Sequence, residues 1–426
     1  MRFRVLWRRA AVAVGIYGSA LLGILASIAA ARELSRIDFS RFALVYAITG
    51  LLQLFLDLTI EEVVVKYGNR YAARGDWGRF HRLLSVAWRI KLAGGLLGTL
   101  AVGVTALVSP WIWPIGGLVV PLLVAGLVPV IQAPEGMASA VLLLRNRYDI
   151  RGGLLLWAMA LRLAATAIGA SYGVVEAFAA IVVAQVISTL TASAIGLAAY
   201  RRYPDAPVQP LGDDVGDVRA FAIQSTIASG LTSLRGLLPT VLIGVVARPA
   251  QVGYFRIAQA PQTAFASLSA PARLVLLAEQ TRDIEHGRAD RAFRLLRRYI
   301  LAMAVIAIVV LPVAWELTPA LVRWIYGARY AGAVMATRLM LVAACIQLVF
   351  GWSKSFPVSI GRPGLRTLGQ LIEISVLVPG VIVLASIYGA AGAAAGVIVS
   401  SSVLGGFWLV HFLRWHASPP VLEAAG

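Results

Sequence analysis

Runs of about twenty apolar residues, separated by short basic segments, recur along the whole of this 426-residue chain. Crossing bilayer hydrocarbon takes about 20 residues of helix, and only helices or closed barrels satisfy their backbone polar groups there. Twelve spans are read, at residues 10–31, 42–64, 89–108, 113–132, 152–172, 176–200, 220–247, 252–278, 299–317, 332–353, 366–388 and 389–413. The fourth is expected to continue past Pro134 toward Leu144. The predicted fold is therefore all-α and integral to the membrane. Composition agrees: 59% of residues are hydrophobic and 14% charged, against about 45–50% and about 25% in soluble domains. The first run is longer than a secretory h-region of about 7–15 residues, so it is expected to be retained as a span.

The net charge is +18, and 35 of the 38 basic residues are Arg. In a soluble protein this would point to nucleic acid. Here the charge sits between apolar runs and sets topology instead, so no nucleic-acid partner is expected. With the N-terminus inside, 25 basic residues fall on inside segments and six outside, with seven within spans. The split predicts that both termini are cytoplasmic. Trp7, Trp111, Trp113, Trp315, Trp324 and Trp415 fall near span ends, where an interfacial belt is expected. No loop is long enough for a folded catalytic domain, so the chain is not expected to be an enzyme. Cys345, the single cysteine, lies in an apolar run, which excludes an intrachain disulfide and reads as a core position. The four histidines lack metal-site spacing, and no metal or cofactor is expected. The Pro- and Asp-rich segment 203–218 reads as a linker. Segment 280–298, with Ile284, Phe293, Leu295 and Leu296 among many Arg residues, reads either as an amphipathic helix on anionic lipid or as a solvated basic loop.

The two halves of the chain resemble each other. "GDWGRFHRLL" (75–84) and "GRADRAFRLL" (287–296) lie 212 residues apart. Arg41 matches Arg256, and Arg147 and Arg151 match Arg362 and Arg366, each 215 apart. "SPWIW" matches "TPALV" at 209, and Tyr172-Gly matches Tyr388-Gly at 216. The order is preserved, which predicts duplication of a six-span unit. The boundaries are a first lobe at 1–202, a cytoplasmic linker at 203–218, a second lobe at 219–414 and a cytoplasmic tail at 415–426. Six spans per lobe give both lobes the same orientation, with a site expected at their interface, around a central cavity. This is transporter architecture.

A charge within a span costs about 2.5–3.5 kcal/mol on insertion scales, so it faces a partner or a wet cavity. Arg162, Arg235 and Glu373 are such charges. Arg32 and Arg36, four apart, share a face if the first helix continues that far. With Arg41, Arg256 and Arg235 they are candidates for a cationic lining, because guanidinium forks suit phosphate. Snorkelling to the interface is the alternative for Arg32, Arg36 and Arg41. In "LDLTIEEVVVK", Asp57 and Glu61 share a face and are candidates for ion coupling, with Glu373 a third. Glu62 and Lys66 are expected to form an ion pair.

The first two spans, "GSALLGILASIAAARELSRIDFSRFALVYAITGLLQLFLDLTIEEVVVKYGNRYAARGD", resemble the start of Wzx-type polysaccharide-biosynthesis flippases of the multidrug/oligosaccharidyl-lipid/polysaccharide exporter superfamily. "GVVARPAQVGYFRIAQ", "YGARYAGAVMATRLMLVAACIQ", "IGRPGLRTLGQLIEI" and "YGAAGAAAGVIVSSSVLGGFWL" continue the resemblance through the second half. One departure is Thr59, where the family often has Gly. The resemblance implies a bacterial inner-membrane flippase. It would carry an undecaprenyl-diphosphate-linked oligosaccharide to the outer leaflet, for surface polysaccharide such as O-antigen or exopolysaccharide. The implied cationic site maps onto Arg32, Arg41, Arg235 and Arg256. The implied partners are the lipid-linked substrate, membrane lipids, and polymerase and chain-length machinery.

A drug/cation antiporter of the same superfamily needs an acidic cavity, whereas the charges within these spans lean basic. A major-facilitator carrier usually has G-x-x-x-D-R-x-G-R-R after its second span, which "GNRYAARGDWGRFHR" does not match. A polymerase or ligase needs a sizeable outer loop, and none is read here.

Overall fold

A computed structural model describes residues 2–56, 60–286, 288–360 and 362–417. Among them every regular element is a helix, in the order α1 (Arg2–Glu33), α2 (Arg36–Leu56), α3 (Ile60–Ala73), α4 (Trp77–Ile112), α5 (Val119–Ala125), α6 (Val128–Leu144), α7 (Tyr148–Ala170) and α8 (Val174–Tyr200). There follow α9 (Asp214–Val246), α10 (Pro249–Ala258), α11 (Ala260–Glu285), α12 (Ala289–Tyr326), α13 (Val334–Val349), α14 (Phe356–Ser359) and α15 (Pro363–Ala417), with 3-10 turns at Ala328–Ala333 and Gly351–Lys354. Eight described helices are long and apolar enough to cross a membrane. Twelve spans are read from the same chain because several are not single straight helices. The described residues of the second fall in α2 and α3, and the eighth is divided between α10 and α11. The eleventh and twelfth are both contained in α15, which is kinked at Gly389.

The chain forms two compact units, Met1–Leu237 and Leu238–Gly426. The division falls inside α9. The two units use the same sequence of parts. Each has a long third helix, of 36 residues in α4 and 38 in α12. The fifth and sixth helices meet at a Tyr-Gly pair in each unit. Gly173 (φ 147°) separates α7 from α8, and Gly389 (φ 58°) sits at the kink of α15. A side chain at residue 389 would meet the amide of Gln251, 2.5 Å from its Oε1. That same Oε1 accepts the Ala390 N–H at 2.9 Å and so starts the last helical segment. Gly supplies the positive φ at no steric cost.

Lipid offers little hydrophobic drive between helices, so small residues that let backbones approach set the contacts. In the first unit a Cβ on Gly15 of α1 would lie 2.6 Å from Gly152 Cα of α7. One on Gly169 would lie 2.7 Å from Ala177 Cα of α8, and one on Gly196 of α8 2.7 Å from Ala138 Cα of α6. Toward the basic end, aromatic and aliphatic side chains take over. Val63, Val64, Tyr67 and Tyr71 of α3 pack with Phe80, Leu83 and Leu84 of α4 and with Val141 and Leu144 of α6. The second unit has an aromatic counterpart around Trp352, Phe356, Trp408 and Trp415.

Several sequence expectations change. Trp113 and Trp415 are only 6% exposed, so they belong to the core and not to an interfacial belt; Trp111 and Trp324 are fully on the surface. The Trp7 side chain lies outside the described residues. Segment 280–298 is not an open loop but the end of α11 and the start of α12, and Ile284, Phe293, Leu295 and Leu296 pack into the aromatic core instead of facing lipid. Glu62 and Lys66 do not pair: Glu62 accepts the Ser225 hydroxyl, and Lys66 Nζ sits 3.8 Å from the Phe221 ring centroid. Cys345 is buried, as expected.

The segment after α8 is docked on the first unit. The Tyr203 ring packs 4.7 Å from that of Phe80, Gln209 N–H donates to Gly78 O at 3.2 Å, and Leu211 joins the core. His81 bonds the Tyr200 hydroxyl at 2.7 Å and Pro204 O at 2.9 Å. Asp214 closes the segment: Tyr71 donates to it at 3.0 Å, with Arg70 and Arg79 at 3.6 and 3.8 Å. Burial, reinforced by the bond to Asp214, pushes the Tyr71 phenol up to about 12. The phenol therefore stays a donor at neutral pH. Between pH 10.0, the ordinary phenol value, and about 12, the folded state keeps a proton that the unfolded chain loses. Stability falls as pH rises through that window. Tyr71→Phe is expected to cost about 1–2 kcal/mol and to speed limited proteolysis within 203–214 several-fold while leaving cleavage elsewhere unchanged.

Candidate functional site

Between α2, α3, α4, α6 and α7 of the first unit lies a cavity of about 160 Å³. That is room for several waters. Its lining is unusually polar for the interior of a membrane bundle. Glu61, on the first turn of α3, meets Lys91, about four turns into α4, at 3.3 Å. The Lys91 side chain is 6% exposed and that of Glu61 31%. They can approach because residue 136 of α6 is glycine: a Cβ there would collide with Glu61 Oε1 and lie 3.0 Å from Lys91 Nζ. Gly95 does the same for the backbones, since a Cβ on it would lie 2.9 Å from Pro129 O.

Glu135, the residue before that glycine, also faces the cavity. Its Oε2 accepts the Gln185 amide of α8 at 2.8 Å, and the same amide nitrogen donates to Thr189 at 3.1 Å. Glu61 and Arg162 both lie within electrostatic reach of Glu135. Arg151 of α7, on the rim, donates from Nε to Ser139 Oγ at 2.6 Å, and Gln53 Nε2 donates to Gln132 Oε1 at 2.9 Å. The site thus combines two carboxylates, an ammonium and a guanidinium around a small wet space. Such a set can hold or pass a proton or small cation, and it can exchange partners if a helix shifts.

The other unit repeats the neutral scaffold without the charges. Gln262 donates to Gln347 at 2.9 Å, and Gln347 to Ser401 at 2.9 Å. Gln132 and Gln347 are 215 residues apart, and Gln185 and Ser401 are 216 apart, the same offsets as the sequence repeat. At 215 and 212, the counterparts of Glu135 and Lys91 are Phe350 and Met303.

The sequence-derived candidates scatter. Arg32 and Arg36 do not share a face, because α1 ends at Glu33 and a new helix begins. The cause is Ser35, which bonds Asp38 N–H at 3.2 Å and the Asp38 carboxylate at 2.7 Å, an N-terminal cap. Both Arg residues are exposed. Arg41 donates to Asp38 at 2.8 Å and to Gly116 O at 2.7 Å, which ties the start of α2 to the loop after α4. Arg256, its repeat mate, reaches Gln259 at 3.3 Å and lies near Tyr326 at the end of α12. Arg162 donates to the Tyr46 hydroxyl at 3.3 Å. Arg235 is half-buried on α9, and Glu373 is 2% exposed on α15. Asp57 lies outside the described residues. Of the whole set, the cavity brings in Glu61 and places Arg162 within reach.

Lys91, Glu135 and Gln185 were not singled out from sequence. Two signals were present: "RIKLAGG" puts a lysine just inside a span, and "QAPEGM" interrupts one with a carboxylate between Pro and Gly. Lys91→Met should leave Glu61 with its nearest cation gone, at a cost of about 1–3 kcal/mol, below that of a fully buried pair because Glu61 is partly exposed. The double variant Glu61→Gln/Lys91→Met should recover most of that loss in a thermal melt in detergent.

A family profile described as polysaccharide biosynthesis protein matches residues 7–277. No curated protein matches. Among solved structures, the chain is similar to an inward-facing multidrug resistance MATE family transporter of the MOP superfamily (TM-score 0.71, 12% identity, covering 94% of this chain and 96% of the other). It is also similar to the lipid II flippase MurJ in an inward closed conformation (0.72, 11%, 95% and 89%). A third is a MOP superfamily transporter from Pyrococcus furiosus (0.61, 12%, 96% and 94%). Identities this low speak for the fold alone, which is that of MOP-superfamily transporters. The match over more than half of its length shows that the chain belongs to the polysaccharide biosynthesis protein family.

Proposed function

We propose that this protein is a flippase that moves a lipid-linked oligosaccharide, on an undecaprenyl-diphosphate type of carrier, from the cytoplasmic to the outer leaflet of a bacterial inner membrane. The observation that carries the proposal is the polar, charge-lined cavity inside one unit of a membrane transporter fold, in a chain of the polysaccharide biosynthesis family. A sugar chain is too polar to enter hydrocarbon unaided, so it needs a wet path while its lipid tail stays in the membrane. Arg235 and Arg256, with Arg32, Arg36, Arg41 and Arg162 as further candidates, would take the diphosphate through charge-assisted hydrogen bonds. Affinity would then depend little on the sugars. Polymerase and chain-length machinery would act on the product. The basic-residue asymmetry supports cytoplasmic termini, and the lobe boundaries read from the repeat, 1–202 and 219–414 with the linker between and a tail at 415–426, are kept as the functional division.

Ion coupling is assigned to Glu61 and Glu135, with Asp57 and Glu373 as further candidates. A carboxylate that gains a proton no longer holds Lys91 or Arg162 as strongly, so protonation shifts the balance between two arrangements of the same helices. One observation favours a second reading, a drug/cation antiporter: the cavity carries two carboxylates, as cation export would require.

Proteoliposomes loaded with a fluorescent lipid-diphosphate sugar separate the two readings. Wild-type protein is expected to flip the lipid, and Arg235→Ala/Arg256→Ala to lower the rate at least about tenfold, the effect of about 1.4 kcal/mol at the barrier, with normal folding. A protein that leaves the lipid in place but exchanges organic cations for protons is the antiporter. Undiminished flipping by the double variant sinks the Arg assignment.

A further inference from the structure

The duplicated Gly-to-Leu stretches begin the third helix of each unit, but their surroundings differ. At the start of α4 the docked segment 203–214 lies over the stretch, with Gly78 against Pro207 and Gln209 and Arg79 turned to Asp214. At the start of α12, Asp283 takes Arg288 at 3.2 Å and Arg291 at 3.4 Å. Arg294, Arg297 and Arg298 remain exposed, and among the described residues no carboxylate lies within ion-pair distance of them.

These three share one face of α12 with the apolar residues that follow at helical spacing. Leu301, Val305 and Ile308 are 55%, 60% and 72% exposed, while Ala292, Leu296 and Ala307 on the opposite face are buried. From Arg294 to Leu301 is two turns, about 10 Å. One continuous outward strip therefore runs from guanidinium groups into a hydrocarbon-facing surface over the depth of a headgroup layer.

We infer that this end of α12 binds the headgroup of an anionic phospholipid, with the phosphate held by Arg294, Arg297 and Arg298 and an acyl chain lying along Leu301, Val305 and Ile308. Guanidinium forks match phosphate oxygens, and the adjoining apolar strip selects a lipid over a soluble anion. Three guanidinium groups beside exposed hydrocarbon-facing side chains, with exposed Asp290 one turn before Arg294 and outside ion-pair distance, commit the surface to this occupant. Its assignment to the cytoplasmic leaflet rests on the topology proposed above; its assignment to an anionic headgroup does not.

The test is thermal unfolding of the full chain in neutral detergent with added phosphatidylglycerol or phosphatidylcholine. Phosphatidylglycerol should raise the midpoint by several degrees more than phosphatidylcholine. Arg294→Gln/Arg297→Gln/Arg298→Gln should lose at least half of that gain, and Arg201→Gln/Arg202→Gln, equally exposed but elsewhere, should keep it. If the glutamine variant does not fold, the single variants Arg294→Gln, Arg297→Gln and Arg298→Gln serve, and each should lose part of the gain. Three results would overturn the inference: a full gain in the glutamine variant, an equal loss in the Arg201/Arg202 control, or an equal gain from inorganic phosphate. A gain that appears only after removal of residues 418–426 would make that segment the occupant and overturn it too. None of these readouts depends on flipping, so failure here and failure of the flippase reading are separable.

Discussion

Within hydrocarbon a polar group must find its partner inside the chain. The arrangement of this protein follows from that constraint. Its helices touch where glycine or alanine lets backbones close in, as at Gly15–Gly152 and Gly196–Ala138. Where helices instead stand apart around a cavity, the side chains there satisfy one another. Gln53 bonds Gln132, Gln185 bonds Glu135, and Lys91 bonds Glu61. None of these contacts is local. Each joins residues at least 30 positions apart, so each helps fix which helices are neighbours.

Half of this network has a counterpart at the offsets of the sequence repeat. Gln262, Gln347 and Ser401 repeat in the second unit the neutral layer of the first, at nearly constant offset. Neutral amides that satisfy each other cost little and keep helices in register, which suits a role needed in both copies. Charges are expensive in the same place, and a copy that does no ionic work gains by losing them. Met303 and Phe350 stand where the first unit has Lys91 and Glu135. The proposed ion coupling through Glu61 and Glu135 would use the charged copy of this layer.

Much of the fold was legible in the sequence because hydrophobic length and basic punctuation act locally. The apolar runs and the paired Tyr-Gly turns are read from length and offset, and the described residues form α1 to α15, eight spans among them long and apolar enough to cross a membrane. The site was less legible. Glu61 was found, since a carboxylate at a span end stands out in one dimension. Glu135 was not, because its meaning depends on Gln185, fifty residues away, and on the gap left by Gly136. Arg32 and Arg36 were joined by helical spacing that a two-residue break removes, although Ser35 and Asp38 carry the signature of a cap. Segment 203–218 reads as a linker by composition. Only three dimensions show Tyr203, Leu211 and Asp214 fastening it to α3 and α4.

That ionic work resides in the first unit is the claim on which the functional reading turns. The direct measurement is the flipping rate in proteoliposomes with and without an imposed proton gradient, for the wild type, Glu135→Gln and Gln347→Ala. Wild-type and Gln347→Ala rates should respond to the gradient, and the Glu135→Gln rate should not, with all three proteins folded. An intact gradient response in Glu135→Gln, or its loss in Gln347→Ala alone, would show that the working charges lie elsewhere.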